Sequence, residues 1–312
     1  MLCAVQKANQ RLRTAPPEPG DLSIFSMDAE ALYPSLHIDD IMEGIMDIVA
    51  SSPIEFRHVN VFEMTKFLHV MYTEEQLKEH GVDKNIPDRQ VELDGKVRQR
   101  PSLAYLDSDV YTKTVNGVKF TDVQKWVNNG RKPSEQQKRK IIALTLMAVT
   151  KTILQNHIYS FNGKYYKQKS GGPIGEDIAT KTAKVVMYRF LSKYKEKLVK
   201  LSLSHHIVLL KIYVDDLNQA GFCLPLGSRY ARGKLYIPGQ GWRGRASPGQ
   251  ALSYQEKKAI EDEGNAEKEA GGDQCQRELN SARIFRQIAN DVLPKTIRMK
   301  EDIPGNQWPL WR

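Results

Sequence analysis

The sequence predicts an α+β fold, with short apolar strands that run into carboxylates and long amphipathic helices between them. Three observations predict it. Short apolar runs end in acids at Leu22 to Met27, just before Asp28, and at Ile207 to Val214, just before Asp215 and Asp216. Two long helical patterns lie between them, one opening at Ser134 and one running from about Glu176 to Lys200. A further antiparallel pair is signalled by "YSFNGKYY", where Asn162-Gly163 sits between aromatic residues as a hairpin turn would require.

Along the chain, "DLSIFSMDAEALYPSL" runs a strand into Asp28, and Pro34 suits the first turn of a helix. From Ile38 to Val49 the residues Ile41, Ile45 and Ile48 recur at helical spacing until Pro53 stops them. Val59 to Met71 fits helix or strand equally well. "TEEQ", Thr73 to Gln76, reads as a capping box that opens a short helix. Residues 83 to 132 are polar and irregular, with a turn signal at Asn116-Gly117, and read as an insertion. Ser134 and Gln137 repeat the capping-box spacing, and Ile142, Leu146, Val149 and Ile153 form the expected buried stripe of the helix that follows. The turn "QKSGGPIG" then feeds the second long helix, which places Ala179, Ala183, Val186 and Phe190 on one face. Ile207 to Val214 reads as a buried strand, with His205 and His206 on its opposite faces. From Pro225 to about Asp273 the composition is rich in Gly, Pro and mixed charge, which predicts a flexible insertion, read as a solvated linker ahead of the alternative, a basic loop that touches nucleic acid. An amphipathic stretch, Leu279 to Val292, closes the readable pattern.

Composition narrows the function. The 312 residues carry a net charge of +9, so the favoured partner is polyanionic. No apolar run approaches the roughly 18 residues that span a bilayer, and the first twenty residues lack a secretory core, so no membrane partner is expected. Cys3, Cys223 and Cys275 are too few and scattered for a disulfide framework or a cysteine zinc site, and the histidines show no helical ligand pair. An intracellular, reducing compartment follows, nuclear or cytoplasmic.

Two adjacent acids behind an apolar strand are either a solvated hairpin turn or part of a metal site. Like charges about 4 Å apart repel by roughly 4 kcal/mol at an effective dielectric of 20, and shared cations offset that repulsion. Asp39-Asp40 shows the plain alternative within the same chain, since acids are favourable at a helix start.

The residues carry a resemblance. "YVDD" at 213 to 216 resembles the catalytic hairpin of reverse transcriptases, and "SMDAEALYPSL" resembles the first carboxylate motif of template-directed polymerases. "YKQKSGGPIGEDIA" resembles the motif that follows it, with Tyr166, Gln168, Gly171 and Gly175 at the Y-x-Q-x-x-G-x-x-x-G spacing of Penelope-like and telomerase-type enzymes. The order matches as well. "LYPS" also occurs in family B DNA polymerases, but their later motifs differ and "YVDD" is not theirs.

The resemblance implies a right-hand polymerase palm, an antiparallel sheet that carries the carboxylates with helices packed on one face, and RNA-directed DNA polymerase activity, in which deoxynucleotides are added to a primer 3′-hydroxyl. It makes Asp28 and Asp215 ligands of two Mg²⁺ ions, with Mn²⁺ as a substitute, and Asp216 the accompanying carboxylate. Tyr33 becomes the steric gate against a 2′-hydroxyl, and Gln168 with Gly171 and Gly175 contacts nucleotide and template. The implied partners are an RNA or DNA template with its primer and deoxynucleoside triphosphates. On the residues alone, Tyr33 reads better as a core aromatic at a strand-to-helix turn, and Gly171, Gly172 and Gly175 could equally be there only to shape a turn.

The resulting organisation is a flexible leader over 1–20 and a palm over 21–224 with inserted fingers at about 54–165. A flexible low-complexity insertion follows over 225–272, then a C-terminal helix and truncated palm end over 273–312. The resemblance covers about Asp21 to Gly221, with partial fingers and no evident thumb, so a fragment is expected. The alternative function is a catalytically inactive retroelement relic that only binds nucleic acid.

Overall fold

The structure, a computed structural model, describes residues 21–53, 61–82, 134–173, 177–246 and 251–301, and within 83–133 only the backbone of short strands. The chain opens with strand β1 (Leu22–Glu30), the single turn α1 (Leu32–Ser35) and helices α2 (Ile38–Ser51), α3 (Val61–Met71) and α4 (Glu74–Glu79). Five short strands follow: β2 (Arg89–Leu93), β3 (Lys96–Gln99), β4 (Lys113–Val115), β5 (Val118–Phe120) and β6 (Lys125–Asn128). Next come helix α5 (Glu135–Gln155), the hairpin of β7 (Ile158–Phe161) and β8 (Lys164–Lys167), and helix α6 (Asp177–Lys200). The second half holds β9 (Ile207–Tyr213), β10 (Asp216–Phe222), β11 (Arg229–Ala231), β12 (Lys234–Ile237) and β13 (Gly241–Arg243). Helices α7 (Tyr254–Ala270) and α8 (Gln274–Val292) and strand β14 (Arg298–Glu301) complete it. The fold is α+β, as the sequence predicts. It divides into two compact units, Met1–Asp40 with Ser170–Arg312, and Ile41–Lys169.

The first unit is built on a four-stranded antiparallel sheet of order β14-β1-β10-β9. Strand alternation sorts its residues: Phe25, Met27 and Ala29 of β1 are buried, while Leu22 and Ile24 face outward. Phe25 meets Phe285 of α8 with ring centroids 5.2 Å apart, and α8 buries Ile284, Phe285, Ile288 and Ala289 on one face. Burying a large apolar side chain of this kind contributes about 1.5–3 kcal/mol. Helix α6 buries the stripe Ala179, Ala183, Val186 and Phe190 read from the sequence, then Tyr194, whose hydroxyl donates to Gln219 Oε1 of β10 at 2.8 Å. Asn290 of α8 fixes the edge strand β14 by bracketing Met299, donating to its carbonyl at 3.3 Å and accepting from its amide at 2.8 Å.

Several expectations need correction. Asp28 lies inside β1 rather than beyond its end, because β14 pairs with Met27 to Glu30 and prolongs the ladder. Strand β9 is not buried throughout. It lies at the sheet edge, so Leu209, Lys211 and Tyr213 face outward while Ile207 and Val208 are covered. His205 and His206 occupy a 3₁₀ turn, Ser204–His206, rather than opposite faces of a strand, and their rings lie 4.5 Å apart.

The described residues of the segment, 225–246 and 251–272, carry strands and a helix rather than a linker. Strands β11, β12 and β13 form a meander, and α7 docks against it. Trp242 Nε1 donates to Glu261 at 2.5 Å, Tyr236 to Asn265 at 2.8 Å, and Arg229 pairs with Glu267. Gly227 and Gly264 let the two backbones touch, since a Cβ on Gly264 would stand 2.5 Å from the Gly227 carbonyl oxygen. The Gly-rich, mixed-charge composition that suggested a linker supplies tight turns and cross-element pairs instead.

The second unit gathers α3, α4 and α5 around Leu68, Leu77, Val82, Ile141 and Leu144, with Met46, Met64, Tyr72 and Met147 against them. Val61–Met71 resolves as helix. The capping boxes at Thr73–Gln76 and Ser134–Gln137 are both formed. Helix α5 is rotated from the predicted stripe: of Ile142, Leu146, Val149 and Ile153 only Ile142 is buried, and Ile141, Leu144, Ala148 and Leu154 point inward. This helix is apolar around much of its girth, so periodicity alone could not select the face. Strands β4 and β5 pair on either side of Asn116-Gly117, which lie outside the described residues, as do 1–20 and 302–312.

Candidate metal centre

Asp28 and Asp215 are 187 positions apart in sequence. The antiparallel ladder brings them together. Asp28 of β1 stands opposite Asp216, the first residue of β10, and Asp216 stands opposite Tyr213 at the end of β9. The intervening turn is Val214-Asp215, and the Ala29 amide donates to the Asp215 carbonyl at 3.1 Å, pinning the turn to β1. One potential ligand oxygen from each of Asp28, Asp215 and Asp216 falls within 4.8 Å of the others, and all three residues are half-buried. Ionised carboxylates at that distance repel by roughly 3 kcal/mol per pair at an effective dielectric of about 20. Hard carboxylate oxygens on neighbouring strands form the donor set that divalent cations such as Mg²⁺ prefer, so the triad could hold a metal ion.

The turn itself is strained. Val214 has φ +52°, the left-handed region where a β-branched side chain is rare. Such a conformation costs on the order of 1–3 kcal/mol and persists when the flanking structure over-determines it. Here the β9–β10 ladder on one side and the Ala29–Asp215 hydrogen bond on the other do so.

The carboxylates head a polar sheet face that sequence reasoning missed. Two residues along each strand, Ser26, Asn218 and Lys211 lie across one another on that same face, and Ser26 Oγ donates to Asn218 Oδ1 at 3.1 Å. The signal is present as period-two patterns in "SMD", "DLN" and "KIY". Lys300 of β14 stands opposite Asp28 in the ladder and pairs with Glu30 at 2.6 Å.

Tyr33 is half-buried in α1, whose entry is set by Ala31 at φ +47°. Gly171 and Gly172 are packed against it. The Gly172 amide donates to the Tyr33 carbonyl at 2.7 Å. Gly171 has φ +80°, and a Cβ there would lie 3.0 Å from the Pro34 Cα, the Pro34 carbonyl oxygen and the Tyr33 carbonyl oxygen. The glycine turn therefore braces the backbone under Tyr33, a role that only a residue without a side chain fits. Gln168 belongs to the other compact unit, where its amide donates to the His157 carbonyl at 3.0 Å. Gly175 lies outside the described residues.

Among the described residues Cys223 is buried, and burial pushes its thiol up to about 11, which removes it as a nucleophile. Among the same residues no helix is long and apolar enough to cross a membrane. No protein-family model matches the chain, and no curated protein matches it either.

Proposed function

We propose that the chain carries the palm of an RNA-directed DNA polymerase, which adds deoxynucleotides to a primer 3′-hydroxyl on a nucleic-acid template. The observation that carries the reading is the convergence of Asp28, Asp215 and Asp216 on adjacent antiparallel strands, with ligand oxygens within 4.8 Å. The packing of Gly171 and Gly172 on Tyr33 supports it, because it ties together two of the sequence motifs that resemble reverse transcriptases.

In this reading Asp28 and Asp215, with Asp216 beside them, hold two Mg²⁺ ions, whose chemistry is charge stabilisation at phosphoryl oxygens. The primer hydroxyl attacks the α-phosphate in line and pyrophosphate leaves, so catalysis is mainly positioning. Tyr33 presents its ring beneath the sugar of the incoming nucleotide and excludes a 2′-hydroxyl. The polar row of Ser26, Asn218 and Lys211 continues the same face and offers neutral and cationic groups to a phosphate backbone.

The test is extension of a labelled primer on RNA and DNA templates by the full chain with Mg²⁺ or Mn²⁺. Extension that disappears in Asp28→Asn and Asp215→Asn supports the reading. Extension that survives both substitutions overturns it, and nucleic-acid binding without any extension assigns the chain to a binding role instead.

A further inference from the structure

The hairpin of β7 and β8 is unusual for a short apolar element. Every one of its eight strand residues is exposed, including Phe161 at 70% and Tyr165 at 82%. Among the described residues it pairs with no other strand. Its turn is well formed, with Asn162 and Gly163 both at positive φ, so the two strands are held in a fixed register. A lone two-stranded ribbon is marginal in water, and one that leaves its aromatic rings outside has not used them for a core.

The register sorts those rings. Tyr159 lies across from Tyr166 and Phe161 across from Lys164, so these four share one face. Tyr159 and Tyr166 are already arranged side by side, with ring centroids 5.6 Å apart and planes 19° from parallel. The charge flanking them along the chain has one sign. From Gln136 to Gly175 the chain has seven lysines and arginines and no acid, and Lys164, Lys167 and Lys169 lie in or beside the hairpin.

We propose that this face binds single-stranded nucleic acid, with bases stacking on Tyr159, Phe161 and Tyr166 and Lys164 meeting the phosphate backbone. Exposed rings interleaved with cations, and no acid nearby in sequence, are complementary to an unpaired strand, whose bases offer π faces and whose backbone is anionic. A protein partner would gain from the apolar rings but not from the lysines interleaved with them and the acid-free sequence that flanks them. The inference rests on the polymerase reading for its biological sense, in that the strand would be the unpaired template. The site itself requires neither the carboxylate triad nor a cation.

The test is fluorescence anisotropy with short labelled RNA and DNA strands and their abasic counterparts, in a chelating buffer, using the full chain. Substituting Tyr159, Phe161 and Tyr166 together by alanine should weaken binding of base-bearing strands by about ten-fold or more. It should leave abasic strands unaffected and the salt dependence unchanged. Lys164→Gln should instead lower the salt slope by about 0.7, the value for one phosphate contact on a single strand. Phe161→Leu keeps apolar bulk while removing the ring, and a several-fold loss there carries the same conclusion without burdening the fold. Tyr254→Ala, an exposed tyrosine at the start of α7, serves as the comparison and should bind as the unaltered chain does.

Ring variants that bind base-bearing strands normally, or that lose abasic and base-bearing strands equally, would overturn the proposal, and the first result would favour a protein partner. If extension occurs while the ring variants bind normally, only this inference fails. If extension never depends on the triad while the ring effect is present, only the polymerase reading fails.

Discussion

Gly171→Ala places a methyl group where backbone leaves little room for it. At φ +80° any L side chain is unfavourable, which costs about 1–2 kcal/mol by itself. The added Cβ would also stand 3.0 Å from three backbone atoms of Tyr33 and Pro34, and backbone cannot rotate aside as a side-chain tip can. Overpacking of that kind adds about 1–3 kcal/mol. Gly241→Ala is the natural comparison, because Gly241 has φ +77° with nothing among the described residues within 4 Å of the position its methyl would take, and it lies in the same compact unit. The conformational cost is common to both, so the difference of about 1–3 kcal/mol isolates the contact with Tyr33 and Pro34. Urea denaturation followed by circular dichroism gives both values from the shift in midpoint at equal slope. Equal midpoints for the two variants would refute the bracing role of Gly171. A larger loss for Gly171→Ala, accompanied by weaker discrimination among nucleotides, is the expected outcome.

Other perturbations follow from the same unit. Tyr194→Phe removes the donor to Gln219 Oε1 in a pair that is wholly buried, where Gln219 Nε2 has no partner among the described residues either, and should cost about 1–3 kcal/mol in the same urea assay. Unchanged stability would contradict that account. Burial, with smaller contributions from His205 and Arg243, lowers the His206 imidazole from 6.5 to about 4, so the unfolded chain takes up a proton before the folded chain does. Stability should therefore fall as pH drops from about 6.5 to about 4, by up to about 3 kcal/mol, and be insensitive to this group above that window. His206→Phe should flatten the dependence, and an unaltered pH profile would count against it. Tyr33→Ala should raise ribonucleotide incorporation relative to deoxynucleotide incorporation. Because Tyr33 is only half-buried, its stability loss should stay below the roughly 3–5 kcal/mol of a core aromatic, and an unchanged sugar preference would remove the gate assignment.

The local chemistry of this chain was legible and its long-range pairing was not. Capping boxes at Thr73 and Ser134, the Asn162-Gly163 turn and the Ala179–Phe190 stripe are written in residues close together along the chain, and each is formed. The three aspartates stood out because each follows an apolar strand. The register that sets Asp28 against Asp216, by contrast, is a pairing across most of the chain, and no local pattern specifies it. Strand β14 is four residues long and rich in charge, so its place beside β1 could not be read from composition. The β11–β13 meander was obscured differently. Its first turn uses Arg232-Gly233, both at positive φ, where Asn-Gly would have announced a hairpin. Ser253 and Glu256, however, form a capping box of the same kind as the other two, and that signature was visible in "SYQE".

The central claim is that Asp28, Asp215 and Asp216 act together as a divalent-cation centre. Titration of the full chain with Mn²⁺, monitored by the loss of the free-ion paramagnetic resonance signal and repeated with Mg²⁺ as competitor, tests it without relying on activity. Saturable binding that Mg²⁺ displaces, and that is lost in both Asp28→Asn and Asp215→Asn but retained in Asp39→Asn, is the result predicted from the convergence of the three carboxylates. Binding by the two triad variants that matches the unaltered chain would contradict it.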